Sequence, residues 1–439
     1  LFFFNNPRRL KMTVILKSTS ILNEEIATAE GNDTVSTGSG SDLIDVGAGN
    51  DSVVAGAGND TIFGGDGNDT IRGGNDNDSI SGGTGDDNLS GDAGNDTING
   101  DDGNDRLIGG LGDDALNGDA GNDYLQGDEG NDTMSGGDGN DVMSGGVGND
   151  IMFGGAGTDA MNGGDGADYM DGGDGDDNLQ GLTGADTLVG GAGADRLDGG
   201  DSADSLAGGD GNDTLIGGLG NDTMAGDAGD DRLLAGDGDD SINTGDGLNY
   251  VDAGNGNDTI TGGVGTDQIS AGAGNDSVSS GAGDDVIDGG LGTDRIIAGA
   301  GNDYANGGAG NDNLVGDAGA DTLVGGLGLD AIDGGDGADV IEGGAGMDFL
   351  TGGADADMFV YQIDSSTASF GLDTITDFEV GVDHLDVDAG IVYGLGYADL
   401  DGDTMNESSI LTFTSSGGAN LGQVTFADTY VADVNDLFV

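Results

Sequence analysis

Gly64-Gly65-Asp66-Gly67-Asn68-Asp69-Thr70-Ile71-Arg72 is one copy of a nonapeptide that runs without insertion through most of the 439-residue chain. Its sixth position is Asp at residue 33 and at every ninth residue onward to 357, with Asn249 the one substitution among 37 positions. The eighth position is Val, Ile, Leu, Met or Phe throughout, Ala305 excepted. The fourth is Gly except at Asp76, Ser202 and Asp355. The first two are mostly Gly, with Asp92, Asp101, Asp119, Asp128, Asp227 and Asp317 at the second. Glycine at such places permits positive φ and lets one backbone approach another closely.

All five basic residues of the array, Arg72, Arg106, Arg196, Arg232 and Arg295, fall at positions seven or nine, beside the apolar residue and never on it. That is the period-two alternation of a short strand with one side chain turned inward. The reading assigns three residues to a strand and six to a turn, so that two nonapeptides close a coil whose strands pair in parallel with the next coil. The expected fold is an all-β solenoid in which each coil touches only its neighbours. The inward methionines Met134, Met143, Met152, Met161 and Met170 are read as core packing rather than a soft-metal site.

Composition fits nothing more ordinary. With 99 Gly, one Pro, no Cys and no Trp, and 34% apolar residues, a conventional packed core is excluded, as is collagen, since glycine does not recur every third residue. Nine basic residues against 85 acidic ones give a net charge of -76, whose self-repulsion opposes compaction unless cations bind. Nucleic acid and anionic membranes are poor partners for such a surface. The acids are almost all Asp, with no Cys and one His, which selects a hard, oxygen-liganded divalent ion, calcium first. No disulfide framework is available, and no apolar stretch approaches the length of a membrane-spanning helix.

Each closing Asp is expected to point at the turn one coil away, where glycine carbonyls converge with it on a cation. The expected metal ligands in the first half are Asp42, Asp51, Asp60, Asp69, Asp78, Asp87, Asp96, Asp105, Asp114, Asp123, Asp132, Asp141, Asp150, Asp159, Asp168, Asp177, Asp186 and Asp195. In the second half they are Asp204, Asp213, Asp222, Asp231, Asp240, Asp258, Asp267, Asp276, Asp285, Asp294, Asp303, Asp312, Asp321, Asp330, Asp339, Asp348 and Asp357. If each site shares two carboxylates, the array holds about 33 ions, one per stacked pair of turns. Residues 31 to 357 carry 68 acids and five bases, so about 33 divalent ions nearly cancel the array's charge. Folding and metal binding should then be one process. At Thr244-Gly245-Asp246-Gly247-Leu248-Asn249 the first Gly and the closing Asp are both missing, and the sites there should be weak.

The array resembles the G-G-x-G-x-D-x-U-x calcium repeats of the repeats-in-toxin proteins, which type I secretion systems of Gram-negative bacteria export. The resemblance covers residues 31 to 357. It implies a right-handed parallel β-roll with calcium as the bound ion, the Asp residues above as carboxylate ligands, and turn glycines such as Gly64, Gly65 and Gly67 lending carbonyls. After 357, Met358-Phe359-Val360-Tyr361, Leu372 to Phe378 and Leu385-Asp386-Val387 read as strands. The segment 358–439 resembles the region that follows the repeats in secreted metalloproteases, implying a small β-rich cap and an export signal ending in Asp436-Leu437-Phe438-Val439. Residues 1–30 are expected to be a leader or N-terminal cap, in part disordered. Met12 is a candidate start, and Phe2-Phe3-Phe4 is a short apolar run that could pair with a neighbour's open end.

Two functions compete. One is a secreted, non-enzymatic, calcium-binding structural protein of a surface layer, matrix, adhesin or filament, with the type I secretion apparatus and self-assembly or a cell-surface or matrix component as partners. The alternative is the repeat and secretion part of a larger secreted hydrolase or toxin. Against catalysis, His384 is the only histidine, so a two-histidine zinc motif is impossible, and no G-x-S-x-G elbow is present. The expectation is no enzyme and no catalytic residue, with His384 structural.

Overall fold

The computed structural model describes residues 13–18, 22–362, 370–388, 391–398, 408–415, 420–427, 429, 431 and 434–438. Phe2-Phe3-Phe4, Met12 and Val439 lie outside the described residues, as does the side chain of Asp436. The chain divides into two compact units, Leu1–Leu219 and Gly220–Val439.

The first unit is a parallel β-solenoid. The strand Thr61–Asp66 pairs with Ser79–Thr84 through Thr61↔Ser79, Ile62↔Ile80, Phe63↔Ser81, Gly65↔Gly83 and Asp66↔Thr84, a step of two nonapeptides. Its eighth-position side chains are fully buried, from Val35, Ile44 and Ile62 to the methionine run at 134–170 and Leu215. One inward side chain per half-coil, stacked on the one a coil away, makes up nearly all of the apolar core, as the nine-residue period requires, with the first-position Val46 and Ala55 added to it.

Strand length departs from expectation. Most strands span six residues, positions seven to three of the next nonapeptide, and only positions four to six turn. The glycines explain this. With no side chain at positions one and two, the backbone beyond the apolar residue stays close enough to the next coil to keep pairing, as in Gly65↔Gly83. Pairing also begins before residue 31: Glu25–Ala27 pairs with Leu43–Asp45, and Ile15–Lys17 with Thr34–Ser36.

The second unit repeats this architecture as far as Phe349–Ala354. Three of its strands, Ser241–Asn243, Thr259–Thr261 and Ser277–Ser279, keep only the three-residue length. They stack on one another, and two of them run into a buried Thr244 or Ser280 where most half-coils have Gly. Beyond the array, Met358–Tyr361 still pairs in parallel with Val340–Gly346 and with His384–Val387. The pattern then changes to an antiparallel meander of Ile391–Ala398, Ser408–Ser415 and Asn420–Phe426. Asn420–Phe426 is joined in parallel to Gly371–Ile375, which itself pairs with Phe349–Ala354. Aromatic side chains fill this cap: Tyr361 stacks on Phe413 with ring centroids 5.2 Å apart, and Phe378 meets Phe426 edge-on at 5.0 Å. An end of the solenoid core is thereby covered by aromatic side chains, larger than the inward residue of any half-coil before Phe359. A single 3-10 turn, Val434–Leu437, is the only helical element among the described residues. No helix among them is long and apolar enough to cross a membrane.

Candidate metal sites

Turn after turn presents its closing Asp in the same way. The backbone N–H of Asp51 donates to Oδ1 of Asp69 at 2.7 Å, that of Asp114 to Asp132 at 2.8 Å, and that of Asp285 to Asp303 at 2.8 Å. Each bond reaches back 18 residues, so the Asp side chains form a rail that ties each turn to the one a coil earlier. All the Asp residues expected as ligands, 42 to 357, are buried. Their carboxylates lie inside the turns, which is where the period placed them.

A second rail was not read from the sequence. Asn122 N–H donates to Asn104 Oδ1 at 2.9 Å and Asn140 N–H to Asn122 Oδ1 at 2.7 Å. In the second unit Asn257 N–H donates to Asp239 Oδ1 at 2.7 Å. These fifth-position side chains are exposed and run in the opposite sense, each accepting from the turn a coil later. The signal was the recurrence of Asn or Asp immediately before the closing Asp, as in Asn68-Asp69 and Asn104-Asp105.

Backbone conformation makes this stacking possible. Gly67 sits at φ +126°, where a Cβ would overlap the carbonyl of Gly49. The second-position Asp residues accept the left-handed region too, Asp92 at φ 78° and Asp317 at φ 70°, as Asp tolerates it better than most. Leu182 does the same at φ 75° with no polar side chain to compensate, an exception at the second position that composition alone conceals.

The second carboxylate oxygen carries the chemistry. Oδ2 of Asp69, Asp132, Asp195, Asp258, Asp303 and Asp339 is buried and accepts no hydrogen bond, a condition repeated along both units. Burial drives the Asp114 carboxyl up to about 7, and the neighbouring carboxylates of Asp96, Asp132 and Asp113 push the same way against the stabilising N–H of Asp96. Burial likewise raises Asp303 to about 7, aided by Asp285 and Asp321. A buried anionic oxygen without a donor needs a proton or a cation.

The surroundings suit a hard cation. A Cβ at Gly145 would meet both Asp150 Oδ2 and the carbonyl oxygen of Gly163, so carboxylate and carbonyl converge at the first glycine of the nonapeptide, within the strand Val142–Val147. Among the described residues no three or more His, Cys, Asp or Glu side chains come together as a metal cage. The available donors are therefore an Asp oxygen with backbone carbonyls, an all-oxygen set that fits calcium. At the irregular turn, Asn249 Oδ1 accepts from Asp231 N–H at 2.9 Å, but its amide nitrogen finds no acceptor. The Thr244 hydroxyl donates to Asp267 Oδ2 at 3.2 Å. A protein hydroxyl thus engages an oxygen that stays open in most of the other turns.

The Asp rail also outlasts the array. Asp348 N–H donates to Asp373 Oδ1 and Asp357 N–H to Asp383 Oδ1, both at 3.1 Å, over 25 and 26 residues instead of 18. Gly371-Leu372-Asp373-Thr374-Ile375 and Gly381-Val382-Asp383-His384-Leu385 each repeat the second half of the nonapeptide, G-x-D-x-U. Ile375 and Leu385 are buried as eighth-position residues. His384 accordingly occupies a seventh position and pairs with Met358. Insertions before each half-motif break the register and hid them from a nine-residue period.

The profile of the RTX calcium-binding nonapeptide repeat matches the chain in overlapping copies that begin at 20–53 and end at 324–359. No curated protein matches it. With its turns, buried Asp rail and parallel coils accounted for, the chain belongs to the RTX calcium-binding nonapeptide-repeat family and is a calcium-binding repeat protein.

Proposed function

We propose that the closing Asp residues, Asp42 to Asp357, are calcium ligands, and that the chain is a secreted structural protein whose array folds as extracellular calcium fills it. The observation that carries this reading is the row of buried, donor-free Oδ2 atoms. A calcium ion between stacked turns supplies the missing positive charge to each, with turn carbonyls completing an oxygen shell, at about one ion per stacked pair. Sites of this extracellular class bind at about 10⁻⁴ to 10⁻³ M, so the array is empty in a cytosol and full outside. An empty, extended polyanion suits passage through a type I secretion apparatus, and a filled one suits a surface layer, matrix, adhesin or filament. The single histidine, placed in a strand that pairs with the array's last rung, supports a non-enzymatic role.

The test is a calcium titration of the purified chain followed by circular dichroism and light scattering. A cooperative gain of β signal in the sub-millimolar to millimolar range is expected. Full β signal in excess chelator would overturn the calcium-stapled reading, and dispersed monomers by electron microscopy at high concentration in millimolar calcium would overturn the assembly role.

A further inference from the structure

We propose that the C-terminal cap owns a cation site of its own, in which Asp373 and Asp348 hold a hard divalent ion, calcium, beyond the last repeat. The proposal rests on the calcium reading of the array. It is carried by the way Asp373 reproduces a repeat rung from outside the repeat. Asp348 N–H donates to Asp373 Oδ1 at 3.1 Å as Asp330 N–H does to Asp348 at 2.9 Å. Thr374 N–H donates to the Asp348 carbonyl at 2.8 Å as Phe349 N–H does to that of Asp330. Gly371 pairs with Gly346 at φ 83°, taking the fourth-position role, and Ile375 pairs with Leu350 in the core.

The Asp348 and Asp373 carboxyl groups lie close enough to share a proton, and three buried oxygens there find no partner outside this cluster. Asp373 is 1% exposed and its Oδ2 accepts no hydrogen bond from beyond it. Oδ2 of Asp348 is in the same condition, and so is the hydroxyl of Tyr361, a residue 2% exposed that lies within electrostatic reach of both carboxylates. The protein has no cation to offer, since no Lys or Arg occurs after residue 357. Two buried carboxylates with no positive partner are costly, and an ion from solution removes that cost.

The other rail ends differently. Asp383 Oδ1 accepts from Asp357 N–H at 3.1 Å and its Oδ2 from Glu379 N–H at 2.7 Å, so a backbone donor closes that carboxylate. One rail therefore terminates on a cation and the other on the peptide chain. Because Gly371–Ile375 lies between Phe349–Ala354 and Asn420–Phe426, an ion at Asp373 fastens the antiparallel meander to the last coil.

Hydrogen–deuterium exchange of the full chain across a calcium titration tests this, comparing peptides that cover 371–375 and 420–426 with array peptides such as 97–102. In Asp373→Asn, which keeps the Oδ1 acceptor, cap protection should require about tenfold more calcium, since ligand charge sets affinity. Array midpoints should be unchanged. Asp373→Glu, which keeps the charge, should lie between the two, and Asp383→Asn should leave the cap's calcium midpoint within about twofold of the parent, as its carboxylate holds no ion. Cap protection in Asp373→Asn at the parent's calcium midpoint overturns the site. So does loss of cap protection at every calcium concentration in both Asp373 variants, which marks a packing role. Array peptides that ignore calcium in the parent chain would instead sink the calcium reading itself.

Discussion

Asp114 and Asp132 are joined by a 2.8 Å hydrogen bond from the backbone N–H of the first to Oδ1 of the second, while the other oxygen of Asp132 is buried with no donor. One oxygen sets the register between coils and the other asks for charge. Separating these two tasks gives the first prediction. Asp132→Asn keeps the register bond and removes the anion, so the calcium-free chain should gain order locally while the calcium-loaded chain loses about 1–3 kcal/mol. Asp132→Ala should also strand the Asp114 N–H and destabilise both states. Calcium-dependent exchange of the peptides around 114 and 132 reads the difference, and an Asn variant that behaves like the Ala variant contradicts it.

Acidity should act oppositely on the empty and filled array. Burial holds carboxyls such as Asp114 and Asp303 at about 7, above the ordinary 3.8, so the metal-free folded state binds more protons than the unfolded chain between those values. Its stability is then greatest below about pH 4 and is lost as pH rises through 7. Calcium needs the same carboxyls ionised, so its apparent affinity should fall as pH drops through that window. Circular dichroism in chelator should show more β signal at pH 4.5 than at pH 8. A metal-free chain equally unfolded at both would contradict the prediction.

Leu182 holds a left-handed conformation that glycine adopts freely. Leu182→Gly should stabilise the calcium-loaded first unit by about 1 kcal/mol, because the steric cost of the left-handed region disappears. A lower melting temperature in the variant would show that the exposed leucine side chain contributes more than its backbone costs.

Met152 is fully buried between Met134 and Met170 on adjoining coils. As packing, Met152→Leu should change stability by less than about 1.5 kcal/mol, whereas Met152→Ala should cost about 2–5 kcal/mol. The damage should stay within the neighbouring coils, since a solenoid couples only adjacent repeats. Exchange that spreads evenly through the unit would refute that locality.

Much of this architecture was open to inspection in the residue order. A side chain repeated every ninth residue meets the same surroundings each time, so periodicity alone assigned Ile62 and Ile80 to one core column and Asp69 and Asp87 to one rail. Composition and charge fixed the metal as a hard cation on the same footing. What needed three dimensions was whatever depends on contacts across coils. Six-residue strands arise because bare glycine backbone reaches its neighbour, and the Asn122 rail because an exposed side chain finds the N–H one coil on. Asp373 and Asp383 rejoin the ladder only in space, since insertions erase a period while leaving the backbone donors of Asp348 and Asp357 in place to receive them. Which carboxylate oxygen stays open is likewise a matter of the donors that happen to lie opposite, and folding alone arranges those.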